Sequence, residues 1–424
     1  MEHDLVLEGR VVTPDGIQDL EVGVSDGLVG DVGAGLRGAR RIKTGRGLIF
    51  PGFIDIHVHL REPGWEQKED FRTGTRAAVH GGVTTVVDMP NNPVPTTTKQ
   101  ALRAKASLAG EKGVIDVMFN GGISKEKPQS LAELSEGVVG YKLYLSETTG
   151  VGAFPEAELG QVFGLVAKTS KPLNLHCEDP SIIETMGRRF KGDTRADVYC
   201  DIRPPEAEVE SVRKVVGALR ETRGLRANVS HASVAGTLAL VREARREKLK
   251  LHCEAALHHL YYNRKAMLGN RLLKTNPPLR SDEDRQALVD GIRNGDVSFL
   301  VTDHAPHLED EKTSLGLAGV PGLDDYAHMV SWLIRSQGVD PAVIANVTSA
   351  NPAKQLRLRD RGEIVQGRRA DFTVIDMHSP ETVRDDDVES KCGWSPYDGK
   401  EFPGRARWTI SGGKVLMDDY ELVR

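Results

Sequence analysis

Two histidines one residue apart close an apolar run in Phe53-Ile54-Asp55-Ile56-His57-Val58-His59-Leu60-Arg61. On a strand, side chains alternate between faces, so His57 and His59 point the same way. Two imidazoles on one face of a strand end can ligate one metal ion. Arg61 then stands where it can read an anion beside that metal. Taken alone, the pattern more often marks two partly exposed polar residues, so the metal reading requires further ligands at comparable places downstream.

Such residues recur. Lys142 lies within the apolar stretch Val138–Leu145, His176 near the end of Pro172–Cys177, and His231 directly after Leu225–Ser230. Asp303 ends Val297–Asp303, inside Thr302-Asp303-His304-Ala305-Pro306-His307. Singly, each histidine has an ordinary structural explanation, and Asp303 suits a turn or a cap. Their joint placement at strand ends predicts one site. Lys142 is the unusual member, because an apolar strand disfavours its charge and lowers its pKa. The neutral amine can add carbon dioxide to give a carbamate, an anionic two-oxygen ligand able to bridge two cations. The alternative is a lysine that snorkels to solvent. Neutral imidazoles and carboxylate-type oxygens suit zinc, with nickel, manganese and cobalt also open. A free coordination position would let such a centre activate water.

The elements that must position these residues can be read from hydrophobic pattern. Eight strand candidates are Phe53–Val58, Val83–Asp88, Val114–Phe119, Val138–Leu145, Pro172–Cys177, Leu225–Ser230, Leu249–Cys253 and Val297–Asp303. Helical patterns lie between most of them, at Glu69–His80, Thr98–Ala109, Pro155–Thr169, Pro205–Thr222, Ala232–Arg246 and Ser281–Asn294. Ser281 followed by Asp284 resembles an N-terminal cap. Strands alternating with helices predict an α/β fold, a (β/α)8 TIM-type barrel, whose active site sits at the C-terminal strand ends. The first fifty residues and the last sixty differ, reading as short strands with turns at Ser25-Asp26-Gly27 and Ser411-Gly412-Gly413-Lys414. The expected organisation is therefore a small β domain from residues 1–50 and 360–424, around a metal-dependent barrel domain at 51–359.

Composition narrows the class. The 424 residues carry a formal net charge of −5, giving no strong field for nucleic acid or an anionic membrane. No apolar run approaches a membrane span, and the first residues lack signal-peptide character. Four cysteines without CxxC spacing suggest a reduced, cytoplasmic setting. Cys177 and Cys253, near the expected barrel mouth, read as packing residues.

With these motifs in view, the chain resembles the dihydroorotases of the cyclic amidohydrolase superfamily over nearly its whole length. The resemblance rests on His57-Val58-His59-Leu60-Arg61-Glu62-Pro63-Gly64, Asp88-Met89-Pro90-Asn91, Lys142-Leu143-Tyr144-Leu145, Thr302-Asp303-His304-Ala305-Pro306-His307 and Pro321-Gly322-Leu323. It implies two zinc ions per chain, one held by His57 and His59, the other by His176 and His231. It further implies that carboxylated Lys142 bridges them, and that Asp303 ligates the first and shuttles the proton. It assigns Arg61, Asn91 and His307 to the substrate carboxylate, Asn276 to a further substrate contact, and the Pro321-Gly322 backbone to the pyrimidine ring. Departures are Asn92 where threonine is usual, and Ala256-Leu257 where Thr-Pro is common. Neither is a ligand position.

The implied activity is reversible conversion of N-carbamoyl-L-aspartate to L-dihydroorotate in pyrimidine synthesis. The alternative is an allantoinase or dihydropyrimidinase-like enzyme, which would have no use for a carboxylate pocket. A non-catalytic scaffold for a partner such as aspartate transcarbamoylase would be expected to have lost ligands. The resemblance leaves open a homo-oligomer and an aspartate transcarbamoylase association.

Overall fold

The computed structural model describes residues 2–423. Four strands open the chain: β1 (Glu2–Thr13), β2 (Gly16–Ser25), β3 (Leu28–Gly33) and β4 (Arg37–Pro51). The barrel strands follow: β5 (Phe53–Val58), β6 (Val83–Asp88), β7 (Asp116–Gly122), β8 (Gly140–Tyr144), β9 (Leu173–His176), β10 (Arg226–Val229), β11 (Lys250–Ala256) and β12 (Phe299–Val301). The chain ends with β13 (Phe372–Asp376), β14 (Glu381–Thr382), β15 (Glu401–Phe402), β16 (Arg405–Ser411), β17 (Lys414–Asp418) and β18 (Glu421–Leu422).

One eight-stranded sheet is assembled from both chain ends, in the order β18-β17-β16-β13-β4-β1-β2-β3. The join is antiparallel, with Phe372 opposite Pro51 and Val374 opposite Ile49. Apolar side chains from the two ends, among them Leu5, Leu7, Val22, Ile49, Phe372, Val374 and Ile410, form one buried cluster. Both turns expected from sequence are present. Asp26 and Gly27 have φ of 52° and 76°, and Gly412 and Gly413 have 55° and 77°. Two successive positive φ values match the twist of a tight hairpin.

The barrel strands pair in parallel and in chain order, β5 through β12. The circle closes where Val58 bridges His304 in parallel and the His59 amide donates to the His304 carbonyl at 2.7 Å. Buried Asp55 on β5 reinforces that seam by accepting from the Thr302 amide at 3.1 Å. Between strands the chain runs in helices packed outside. Pro205–Glu221, for example, buries Ala207, Val212, Val215, Val216 and Leu219, one apolar stripe of a 3.6-residue period.

Element boundaries move for local reasons. The helix expected from Glu69 begins at Phe71, because the Asp70 side chain accepts from the Thr73 amide and caps it. The segment from Pro155 starts as a 3₁₀ turn at Glu156–Glu158 before the α-helix Leu159–Thr169. Ser281 caps the helix Asp282–Asn294 as expected, its hydroxyl accepting from the Asp284 amide at 3.1 Å. Among the described residues, no helix is long and apolar enough to cross a membrane.

Candidate metal centre and anion pocket

At the C-terminal ends of the barrel strands, His57, His59, Lys142, His176, His231 and Asp303 line one cavity. Arg61, His231 and Asp303 adopt φ of 62°, 36° and 48°. Left-handed backbone at non-glycine residues costs on the order of 1–3 kcal/mol each and is found where surrounding structure enforces it, often at active sites.

The metal reading depends on where the imidazole lone pairs point. His57 Nδ1 meets the Glu254 carboxylate, buried on β11. His59 Nδ1 donates to Asn91 Oδ1 at 2.7 Å. His176 Nε2 donates to Glu178 Oε2 at 2.8 Å. Each acceptor takes the N–H of one ring nitrogen and turns the lone pair of the other into the cavity, as second partners of metal-binding histidines do. The inward nitrogens converge. His57 Nε2 and His59 Nε2 lie 3.2 and 3.3 Å from Asp303 Oδ1. His176 Nδ1 lies 3.0 Å from His231 Nε2. Lys142 Nζ sits between the two groups, 3.5 Å from His57 Nε2 and 2.6 Å from Ser230 Oγ.

Protonation states agree with a cation site. Burial lowers His59 to about 3 and drives His231 well below its ordinary value, so both are neutral bases. Burial opposes ionisation of Asp303, but the surrounding imidazoles of His57, His59 and His231 hold it well below the usual carboxylate range. Burial lowers Lys142 to about 8, with Glu254 and Asp303 partly offsetting the effect. His57, His59 and Asp303 form a compact three-ligand group able to hold a metal ion. Neutral imidazoles with an ionised carboxylate are the donor set that zinc-type ions take. The residues therefore fit the metal that the sequence suggested.

Beside this centre lies the anion pocket. Arg61 is buried, with Nε donating to the Pro306 carbonyl at 3.0 Å and Nη2 at 3.2 Å from His307 Nε2. Among the described residues no carboxylate forms an ion pair with it. Burial lowers its pKa only to about 10, so it remains a cation at neutral pH.

The other expected contacts divide. Asn276 lines the cavity and accepts from the Tyr199 hydroxyl. Asn91 also lines it, but both ends of its amide are engaged, Oδ1 with His59 and Nδ2 with the Thr149 carbonyl at 3.1 Å. His307 is reached through Arg61. Pro321 and Gly322 are not brought to the cavity wall. The Gly322 amide lies 3.2 Å from His304 Nδ1, and Ala318 and Gly319 of the same loop face the cavity instead.

Residues 48–416 match the model of the amidohydrolase family. The chain belongs to the amidohydrolase family. A dihydroorotase of Pyrococcus furiosus is 32% identical over 99% of this chain and 94% of its own length. A dihydroorotase of Methanosphaera stadtmanae is 32% identical over 89% of this chain and 87% of its own. An allantoinase of Bacillus licheniformis is 30% identical over 99% and 97%. In structure, an L-hydantoinase (dihydropyrimidinase) from Arthrobacter aurescens superposes with a TM-score of 0.94 at 25% identity, covering 100% of this chain and 98% of its own. As an amidohydrolase with these relatives, the chain is a cyclic amide hydrolase acting on small molecules.

Several residues of this amidohydrolase site escaped the sequence reading. Glu254 is a single acid in the apolar strand Leu251–Ala256, and that isolation was its available signal. Glu178 follows His176 by two residues and is held by Arg203 Nε at 2.9 Å. Tyr144 lines the cavity, and its buried hydroxyl has no hydrogen-bond partner. Nothing in its sequence context separates it from a core tyrosine.

Proposed function

We propose that this amidohydrolase is a dihydroorotase, interconverting L-dihydroorotate and N-carbamoyl-L-aspartate in pyrimidine synthesis. The observation that carries the reading is Arg61, a buried cation without a carboxylate partner among the described residues, opening on the cavity beside the ligand cluster. An unpaired buried charge is costly, and it is retained where a ligand completes the pair. Dihydroorotate carries a carboxylate on its ring. Allantoin, hydantoins and dihydropyrimidines do not.

In this reading His57, His59 and Asp303 would hold one zinc ion and His176 and His231 a second, with Lys142, once carboxylated, as a ligand shared by both. When bound, such ions lower the pKa of a water and polarise the amide carbonyl. Lys142 would become an anionic ligand if its neutral amine added to carbon dioxide, forming an N–C bond at the expense of one C=O π bond and releasing one N–H proton to solvent. In ring opening, Asp303 takes the proton of the attacking water and delivers it to the ring nitrogen as the C–N bond breaks. Arg61 anchors the ring carboxylate and so orients the amide toward Asp303. The unpartnered Tyr144 hydroxyl supplies a donor to the developing oxyanion. Turnover of dihydroorotate, allantoin and dihydrouracil, measured side by side with a metal count, tests the reading. A preference for either ring without a carboxylate refutes it.

A further inference from the structure

His307 lies among donors. Lys68 Nζ is 3.1 Å from its Nδ1, Arg61 Nη2 is 3.2 Å from its Nε2, and the Ala318 carbonyl is also 3.2 Å from Nε2. Lys68 is buried, which lowers its pKa, and the ion pair with Glu311 Oε2 at 3.0 Å on its other side opposes that shift. Glu311 itself is 3.9 Å from His307 Nδ1, beyond hydrogen-bond range. The His307 backbone is pinned as well, its carbonyl accepting from Trp394 Nε1 at 2.8 Å.

Hydrogen bookkeeping then selects one form of the ring. A lysine ammonium has three donors and no acceptor, and a neutral imidazole has one lone pair and one N–H. Burial, with Arg61, Lys68 and Lys312 nearby, holds His307 far below its ordinary pKa, so it is neutral. If Lys68 donates to Nδ1, the lone pair is used there and Nε2 carries the hydrogen. Arg61 Nη2 is also a donor, so its approach to Nε2 is not a hydrogen bond. Two N–H groups then lie side by side behind the cavity wall; Nε2–H has the Ala318 carbonyl at 3.2 Å as a long acceptor, and one anion reaching both groups would give it a stronger acceptor and give Arg61 its charge partner.

We propose that Lys68 is a positioning residue: by donating to His307 Nδ1 it fixes the Nε2–H tautomer, so that His307 and Arg61 present adjacent donors to one carboxylate of the substrate. Without Lys68 the ring is free to carry its hydrogen on Nδ1. Its Nε2 lone pair would then accept from Arg61, and both residues would be spent on each other. The inference rests on the carboxylate reading above and concerns residues that reading leaves unexplained.

The test combines two measurements on the full-length, metal-loaded enzyme. In ¹⁵N-histidine-labelled protein, the His307 resonances, assigned with His307→Asn, report which nitrogen carries the hydrogen. The wild type and Lys68→Arg are expected to show Nε2–H, and Lys68→Met to show Nδ1–H or a mixture. In parallel, Lys68→Met is expected to raise KM for dihydroorotate about tenfold or more, the worth of a hydrogen bond to a charged group, with kcat changed little. Lys68→Arg should recover most of that KM. A general structural defect would lower kcat and metal content instead. An Nδ1–H tautomer in the wild type, or an unchanged KM in Lys68→Met, overturns the proposal. If the wild type fails to turn over dihydroorotate, the functional reading falls, and the tautomer measurement alone decides the role of Lys68.

Discussion

Replacing Arg61 by methionine should weaken catalysis while leaving the fold at least as stable, and the structure sets both magnitudes. Burial lowers the guanidinium from 12.5 to about 10, only partly opposed by Asp303 and Asp88. At about 1.4 kcal/mol per pKa unit, the folded state carries roughly 3 kcal/mol of penalty for keeping the charge. The unfolded chain carries none, so the penalty persists at all pH values below about 10. Methionine removes it and fills much of the space. It also gives up the bond to the Pro306 carbonyl, worth about 1 kcal/mol. A net gain of about 2 kcal/mol in the free protein follows from these two terms. Against substrate the sign reverses. A charge-assisted contact to the ring carboxylate contributes about 1.5–3 kcal/mol, so kcat/KM for dihydroorotate should fall roughly 10- to 100-fold. Arg61 is no ligand, so metal content should hold. Steady-state kinetics, elemental analysis and thermal melts with and without dihydroorotate measure all three. A melting temperature several degrees below wild type, with kinetics intact, would show Arg61 to be a structural cation and remove the basis for carboxylate recognition.

Asn91→Ala should behave differently, because its amide oxygen orients His59. Metal affinity should drop about tenfold or more, as loss of such partners does, and added zinc should restore part of the activity. Lys142→Ala should abolish turnover and lower the metal count, and a short carboxylic acid filling the vacated position should return a fraction of both. Asp325, which does not line the cavity, is pushed up to about 8 by burial and by neighbouring Asp324. The unfolded chain releases that proton near the ordinary carboxyl value of 3.8, while the fold holds it to about 8. Between those values the folded state binds more protons, so this group lowers stability as pH rises. Asp325→Asn should therefore gain in melting temperature over wild type from pH 5 to pH 8. A constant difference across that range would refute the assignment.

Much of the barrel was legible because its signals are local. Apolar runs of five to eight residues alternating with helical stripes mark β5 to β12, and the expected turns at Asp26-Gly27 and Gly412-Gly413 have the positive φ values that such hairpins need. The candidate ligand positions were legible because the histidines and Asp303 stand at or just past the ends of those runs, and Lys142 is the lone charge within one. What the pattern could not supply is pairing across the barrel. Glu254 lies 197 positions from His57, and Lys68 lies 239 from His307. No periodicity links residues so distant, so the groups that orient the ligands emerge only with the fold. The same limit separates Pro321 and Gly322 from the cavity wall, where one loop turn brings Ala318 and Gly319 forward.

Neither overall similarity nor the metal ligands can decide the substrate. Dihydroorotase and allantoinase relatives stand at 32% and 30% identity, and a hydantoinase superposes over the whole chain. A ligand cluster serves any cyclic amide equally, since activating water and polarising a carbonyl are common to all of them. Specificity must come from a group that would cost free energy unless the right ring were present. A neutral substrate would leave Arg61 charged, buried and without an ion-pair partner. On the dihydroorotase reading proposed above, a ring carboxylate would supply that partner. Discrimination then follows from asymmetry: the correct ring relieves a penalty already built into the fold, whereas a ring lacking the carboxylate leaves it in place.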